Sequence, residues 1–221
     1  MNPSNWRTYF VTQASLSDDR TTLDIVRAAV DGGVDAIQLR EKETSARSRY
    51  ELGLELRELT AEAGVDLLVN DRVDIARAID ADGVHVGQSD LSVGVARDLL
   101  GSDAIVGCSA STVAAAREAD ADGADYLGVG AVYGTSSKDV DADKDGVGPE
   151  RIAAIADAVS IPIVGIGGIT ADNARPVVEA GAAGVAVISA ITAAPDPAAA
   201  TESLTAAVET PKAIDTGGQG E

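Results

Sequence analysis

Eight short apolar runs alternating with eight helical ones predict a single α/β domain, a (β/α)8 TIM barrel covering residues 1–209. Two further features favour a closed barrel over an open doubly wound sheet. The phrases DGGVDAI, ADGVHV, ADGADYLGV and AGAAGVAV recur, each reading as a helix C-cap glycine and a short turn into a buried strand. An open sheet would also want GxGxxG after its first strand, and VTQASLSDD stands there instead.

The elements follow in order. Residues 6–12 (WRTYFVT) carry the aromatic and β-branched side chains of a strand. In 21–31, Leu23, Val26, Ala29 and Val30 have helical spacing, and Gly32-Gly33 ends the helix. The second strand lies within 34–42 (VDAIQLREK). Residues 45–63 form a long helix with Tyr50, Leu52, Leu56 and Leu59 toward the core, closed by Gly64. The apolar run 65–69 is too short for a helix and reads as the third strand. A short helix at 73–80 leads to a strand at 83–86, and a helix at 91–100 to a strand at 104–108. A helix at 112–121 precedes the sixth strand, 125–129. After a long polar loop at 133–148, residues 149–159 are helical with Pro149 in the first turn. Strands at 161–165 and 184–188 flank a helix at 171–180, and 197–208 is the last helix. Residues 210–221 (TPKAIDTGGQGE) read as a disordered tail with no core to join.

A chain of 221 residues can bury the core of one such domain. No apolar run reaches the roughly 18 residues of a membrane span, and the start, MNPSNWRTYFVT, lacks a basic region followed by an apolar one. The single Cys108 excludes an intrachain disulfide and fits a reducing compartment. These features predict a cytoplasmic protein with no membrane partner. A net charge of -19 disfavours nucleic acid, because the summed field repels polyanions. Small-molecule substrates remain the expected partners, and the sequence leaves a homo-oligomer open. Only Lys42, Lys138, Lys144 and Lys212 are lysines among 17 basic residues. Excess acid with little lysine resembles surfaces from a high-salt cytoplasm, where mobile ions screen the self-repulsion.

A barrel gathers its function at the C-terminal ends of the strands. In the second strand Gln38, Arg40 and Lys42 alternate and share one face, while Ile37, Leu39 and Glu41 share the other. Two neighbouring cations need an anion, and the fork of arginine with the point charge of lysine suits a diphosphate. The same pattern also fits a strand running out into a salt-bridged loop. The third strand ends in Asn70-Asp71, and the fourth runs into GQSD, which places Asp90 past its tip. In adjacent strands these two carboxylates can converge on one Mg²⁺, which usually takes one or two carboxylates and keeps water or phosphate oxygens. Asp90 also suits the N-cap of the helix at 91–100.

The fifth strand ends in Cys108-Ser109, with Ser109 sharing a face with Gly107 and Cys108 facing the core. A nucleophilic serine would want a histidine base. The one histidine, His85, reads instead as a packed, hydrogen-bonded strand residue. In the long loop, Thr135, Ser136, Ser137 and Lys138 offer hydroxyls and an ammonium to phosphate oxygens, and the loop can close over the mouth. Its DVDADKDG segment lacks the glutamate of a calcium loop. Gly165-Ile166-Gly167-Gly168 and Ile188-Ser189-Ala190 follow strands seven and eight, the usual place for a phosphate site in such barrels.

Taken together, QLREK, VND, HVGQSD, Ser109, TSSK and VGIGGIT with GVAVISAI resemble the thiamine phosphate synthase family over residues 6–208. The resemblance implies Mg²⁺-assisted condensation of 4-amino-2-methyl-5-(diphosphooxymethyl)pyrimidine with a thiazole phosphate, giving thiamine phosphate and pyrophosphate. It implies Gln38, Leu39, Arg40, Glu41, Lys42, Asn70, Ser109 and Lys138 around the pyrimidine diphosphate, with Arg40, Ser109 and Lys138 catalytic. It implies Asp71 and Asp90 as Mg²⁺ ligands, and Thr135, Ser136, Ser137, Gly168, Ile188 and Ser189 around the thiazole phosphate. The lid departs from the family's GP-I-[YF]-P-T-x-T-K. Gly130-Ala131-Val132-Tyr133-Gly134-Thr135-Ser136-Ser137-Lys138 lacks its prolines and precedes an acidic insertion, which bears on lid stiffness rather than chemistry.

Cations and a metal pair without a placed base or nucleophile fit a dissociative substitution. A phosphosugar isomerase would need a placed base. The rival readings are a thiazole tautomerase on the same barrel, which needs no diphosphate site, and a catalytically silent sensor of a thiamine precursor.

Overall fold

The computed structural model describes residues 2–17, 19–134 and 146–209. Its strands are β1 (Thr8–Val11), β2 (Ala36–Leu39), β3 (Asp66–Asn70), β4 (Gly83–Val86), β5 (Ile105–Ser109), β6 (Tyr126–Val129), β7 (Ile163–Ile166) and β8 (Gly184–Val187). The helices are α1 (Thr22–Asp31), α2 (Ala46–Ala63), α3 (Val73–Ala78), α4 (Val93–Leu100), α5 (Val113–Ala121), α6 (Gly148–Ala156), α7 (Arg175–Glu179), α8 (Ser189–Thr192) and α9 (Pro197–Val208). The strands pair in sequence order as a closed barrel. Closure comes from β8 pairing in parallel with β1, Thr8 opposite Val185 and Phe10 opposite Val187.

Strand alternation divides the apolar residues into two cores. Phe10, Ile37, Leu67, Val84, Val106 and Leu127 point outward and pack with the helices. Tyr9, Ala36, Leu68, Ile105, Tyr126, Val164 and Ala186 point inward and fill the barrel, joined by Trp6 below β1. Burial on both faces is why these strands read as nearly continuous apolar runs.

The recurring aspartate ahead of the strands has a structural use. Asp35 accepts from the backbone N–H groups of Arg7 (2.7 Å) and Thr8 (3.0 Å) at the start of β1. Asp82 accepts from the Leu67 N–H (2.8 Å) and from Arg57 (2.9 Å). Asp125 accepts from the Val106 N–H (2.7 Å) and from Arg97 (2.5 Å). Each carboxylate thus ties the start of its own strand to the start of the preceding one, at the face away from the mouth.

Side-chain caps define the helix starts: Thr21, Ser45, Ser92 and Thr112 each accept from the backbone N–H three residues on. The alternative role of Asp90 as an N-cap is therefore corrected. The helix starts at Val93 with Ser92 as cap, and the Asp90 carboxylate accepts from the Gly87 N–H instead (2.8 Å).

The buried side of α2 is Arg49, Gly53, Leu56 and Thr60, with Leu52 and Leu59 partly buried and Tyr50 exposed, contrary to expectation. Gly53 explains the rotation. A Cβ there would lie 2.9 Å from Ile79 and 3.3 Å from Leu39, so the helix settles on this stripe and turns Tyr50 outward. The seventh helix is shorter than expected, because the Asn173 side chain holds a turn by accepting from the Thr170 N–H (2.8 Å). The four-residue α8 was not expected. Among the described residues, no helix is long and apolar enough to cross a membrane. The tail at 210–221 lies outside the described residues.

Candidate active site

The tip of β2 carries the cations. The strand ends at Leu39, so Arg40 and Lys42 stand beyond it, while Gln38 remains inside the barrel, 3% exposed. Arg40 is buried; its N–H donates to Thr12 Oγ1 (3.0 Å) and its guanidinium to Gln13 Oε1 (2.9 Å). Arg49, from α2, is buried beneath this turn and donates to the backbone carbonyls of Glu41, Lys42 and Thr44. An arginine fork on three carbonyls fixes the loop that presents Lys42.

Asp71 and Asp90 lie side by side at the neighbouring tips of β3 and β4. Lys42 Nζ lies 3.9 Å from Asp71 Oδ2. Asp71 has a left-handed backbone, φ 62°, held where its N–H donates to the His85 carbonyl (2.8 Å). A non-glycine residue in that region stores strain that its surroundings must hold. Burial raises the Asp71 carboxyl above its ordinary range, the neighbouring Asp90 carboxylate raises it further, and Lys42 and Arg40 oppose them. Two carboxyl groups this close at a partly buried tip repel one another when both are ionised, and a shared proton or a cation relieves them. Hard oxygen donors in this number fit Mg²⁺. Among the described residues no cluster of three or more metal-ligating side chains occurs. A magnesium ion here would therefore take its remaining ligands from water and substrate.

Asn70 ends β3 facing inward, paired with His85 in the ladder. Two expected pyrimidine-site residues turn away from this group. Leu39 is fully buried in the outer core. Glu41 is engaged by the Ala14 N–H (2.9 Å) and the Thr22 hydroxyl (3.1 Å). Only their backbone stands at the tip.

Ser109 Oγ lies 2.9 Å from His85 Nε2, and His85 Nδ1 lies 2.9 Å from the Tyr126 hydroxyl. The serine and histidine do meet. The group behind the histidine is a buried phenol, however, not the carboxylate that orients a nucleophile's base. Gln88 steadies the same tip by donating to the Ser109 carbonyl (2.7 Å). Tyr9 and Tyr126 escaped the sequence reading because an aromatic residue on a strand reads as core. Gln13 and Arg49 carried no signal beyond their charge or polarity.

On the opposite side of the mouth, Gly168 has φ 62°, and a Cβ on it would lie 2.6 Å from the Gly134 carbonyl oxygen. Tyr133 N–H donates to the Gly167 carbonyl (2.9 Å), which docks the start of the long loop on the tip of β7. Next to it, buried Ile188 follows the end of β8 and caps α8, which exposed Ser189 opens. The expected phosphate ligands Gly168, Ile188 and Ser189 thus stand at neighbouring tips. Thr135, Ser136, Ser137 and Lys138, which continue the chain from Gly134, lie outside the described residues.

A family model described as thiamine monophosphate synthase matches residues 8–191. A thiamine-phosphate synthase from Natronomonas pharaonis is 64% identical over 201 residues, covering 91% of this chain and 94% of that protein. Another, from Haloarcula marismortui, is 64% identical over 206 residues, covering 93% and 98%. Among solved structures, thiamine phosphate pyrophosphorylase from Pyrococcus furiosus superposes with a TM-score of 0.85 at 41% identity, covering 94% of this chain and 98% of that one.

Proposed function

Since the chain belongs to the thiamine monophosphate synthase family, we propose that the tips of β2, β3 and β4 are where a diphosphate is drawn off the pyrimidine half of its product. The chain is a transferase of thiamine biosynthesis that condenses pyrimidine and thiazole phosphates to thiamine phosphate. The observation that carries the mechanistic reading is the meeting of Arg40, Lys42, Asp71 and Asp90 at those tips.

The reaction runs as a dissociative substitution. The C–O bond to the pyrimidine methylene breaks, and its electron pair leaves on the diphosphate oxygen. The electron-rich aminopyrimidine ring holds the resulting methylene cation until the thiazole nitrogen supplies the pair for the new C–N bond. Arg40, Lys42 and Lys138 take up the charge that grows on the leaving oxygens. Asp71 and Asp90 would hold Mg²⁺, which when bound supplies further positive charge to the diphosphate. Gln38, Asn70 and Ser109 orient the pyrimidine, with the backbone of Leu39 and Glu41 at the same edge. Gly168, Ile188 and Ser189, joined by Thr135, Ser136 and Ser137, seat the thiazole phosphate so that its nitrogen faces the cation.

This chemistry asks for no protein base, which suits a site whose histidine is tied to a phenol. A tautomerase would have no use for the Arg40 and Lys42 pair. A silent sensor would bind both substrates without releasing pyrophosphate. With both substrates and Mg²⁺ supplied, one pyrophosphate should appear per thiamine phosphate, and omission of the thiazole phosphate should abolish thiamine phosphate formation. Saturable binding of both substrates with no product would favour the sensor.

The acidic balance, net charge -19, belongs to a reading in which the enzyme works in a salt-rich cytoplasm. Unfolding curves in low and multimolar KCl test this, and equal stability in both counts against it.

A further inference from the structure

Below the mouth, a line of hydrogen bonds crosses the barrel interior through side chains from five strands. Gln38 Nε2 donates to the Tyr9 hydroxyl (2.8 Å), which lies 3.0 Å from the Tyr126 hydroxyl. Tyr126 then meets His85 Nδ1 (2.9 Å), and His85 Nε2 meets Ser109 Oγ (2.9 Å). Both phenols are buried, Tyr9 at 2% and Tyr126 at 0% exposure. Burial pushes both well above the ordinary phenol range, so each keeps its proton.

The barrel gives up side chains to make room for this line. A Cβ on Gly107 would lie 2.1 Å from the Tyr126 ring, and one on Gly128 would lie 2.9 Å from the His85 ring. The ends of the line are Gln38 and Ser109, the residues that the proposed function sets against the pyrimidine. Gln38 Oε1, at the first end, is buried without a hydrogen-bond partner among the described residues.

Hydrogen counting fixes the direction. Each phenol has one proton to donate. The Tyr9 oxygen already accepts from Gln38, so its own proton must go to Tyr126, since otherwise a buried O–H is left unsatisfied. The Tyr126 proton then goes to His85 Nδ1. His85 consequently carries its proton on Nε2 and donates to Ser109 Oγ, which leaves the Ser109 proton free to point away from the line. One end therefore offers an acceptor, Gln38 Oε1, and the other a donor, the Ser109 hydroxyl.

We propose that Tyr9, Tyr126 and His85 are positioning residues that set the polarity of Gln38 and Ser109 for an aminopyrimidine, whose exocyclic amine donates to Gln38 and whose ring nitrogen accepts from Ser109. The proposal rests on the transferase reading for its ligand, but not for its polarity. Selection for the amine then arises from the floor of the barrel as well as from the residues that touch it, because a buried acceptor left unpaired by the wrong ring costs binding.

His85 is the only histidine in the chain, so ¹⁵N-histidine labelling of the full-length protein gives one imidazole signal set. The Nε2–H tautomer is expected at neutral pH. The Nδ1–H tautomer, or a mixture, reverses or dissolves the polarity and overturns the proposal. This measurement stands whether or not the chain turns over the expected substrates, and an inactive wild-type chain would sink the transferase reading alone.

The second test is Tyr126→Phe, which keeps the ring contacts with Trp6 (centroids 4.9 Å) and His85 (5.5 Å) and removes only the hydroxyl. KM for the pyrimidine diphosphate should rise about tenfold while KM for the thiazole phosphate stays unchanged. Preference for the aminated over the deaminated pyrimidine diphosphate should fall by about the same factor. An unchanged amine preference overturns the proposal, whatever happens to the melting temperature.

Discussion

Aspartates at the two ends of this barrel meet opposite fates. On the face away from the mouth, Asp35, Asp82 and Asp125 each accept two hydrogen bonds on Oδ2, from backbone N–H groups and, for the latter two, an arginine. At the mouth, Asp71 and Asp90 press on each other, with Lys42 held loosely at 3.9 Å. The same side chain serves as a staple where backbone and arginine donors meet it, and at the mouth it stands beside a second acid instead. Electrostatic tension left at the C-terminal tips is what a cation and a diphosphate can relieve, and the stapled face supplies the rigidity that keeps the tips in place.

The sharpest way to break this contrast is to exchange the roles by mutation. Asp71→Ala should lower kcat by about two orders of magnitude or more, on the order of 3 kcal/mol of barrier, without loss of stability. Pyrophosphate release beside a urea unfolding curve checks both parts, and near-normal turnover would remove Asp71 from the site. Asp82→Ala should do the reverse. It strands the Leu67 N–H and Arg57, and about 2 kcal/mol of stability should go while kcat of the folded fraction holds.

A smaller effect separates Asp66, inside the barrel, from both groups. Burial raises its carboxyl above the ordinary 3.8, and the Trp6 indole N–H at 2.7 Å only partly offsets this. The folded protein then binds this proton more tightly than the unfolded chain does. Its contribution to stability is present at low pH and is lost as pH rises from 3.8 through the raised value. Asp66→Asn should flatten the fall of the urea midpoint across that window, and an unaltered slope would contradict the sign. Smallest of all, Glu51→Ala breaks an exposed pair with Arg47 and should change stability by less than about 0.5 kcal/mol.

The same contrast explains what the sequence could and could not disclose. Alternating strand and helix patterns disclosed the barrel, because burial on both strand faces writes apolar runs that no turn interrupts. Element ends shifted where a single side chain decided them, as Ser92 did for α4 and Asn173 for α7. The orientation of α2 was missed because one glycine, Gly53, outweighed a larger tyrosine. At the mouth, Arg40, Lys42, Asp71 and Asp90 were legible because a charge at a strand tip has few structural uses. The line from Gln38 to Ser109 was not, since its middle members read as core and its contacts span residues as far apart as Tyr9 and Tyr126. Only closure of the barrel brings them together.

The central claim of the proposed function is that the charged groups at the mouth work with Mg²⁺ to detach the diphosphate. Its most direct test is pyrophosphate release by the full chain, given both substrates, as divalent cation is withdrawn by a chelator and Mg²⁺ is then restored. The account predicts that release stops on withdrawal and returns on addition. Release that continues without divalent cation, or fails to return with it, would contradict the account.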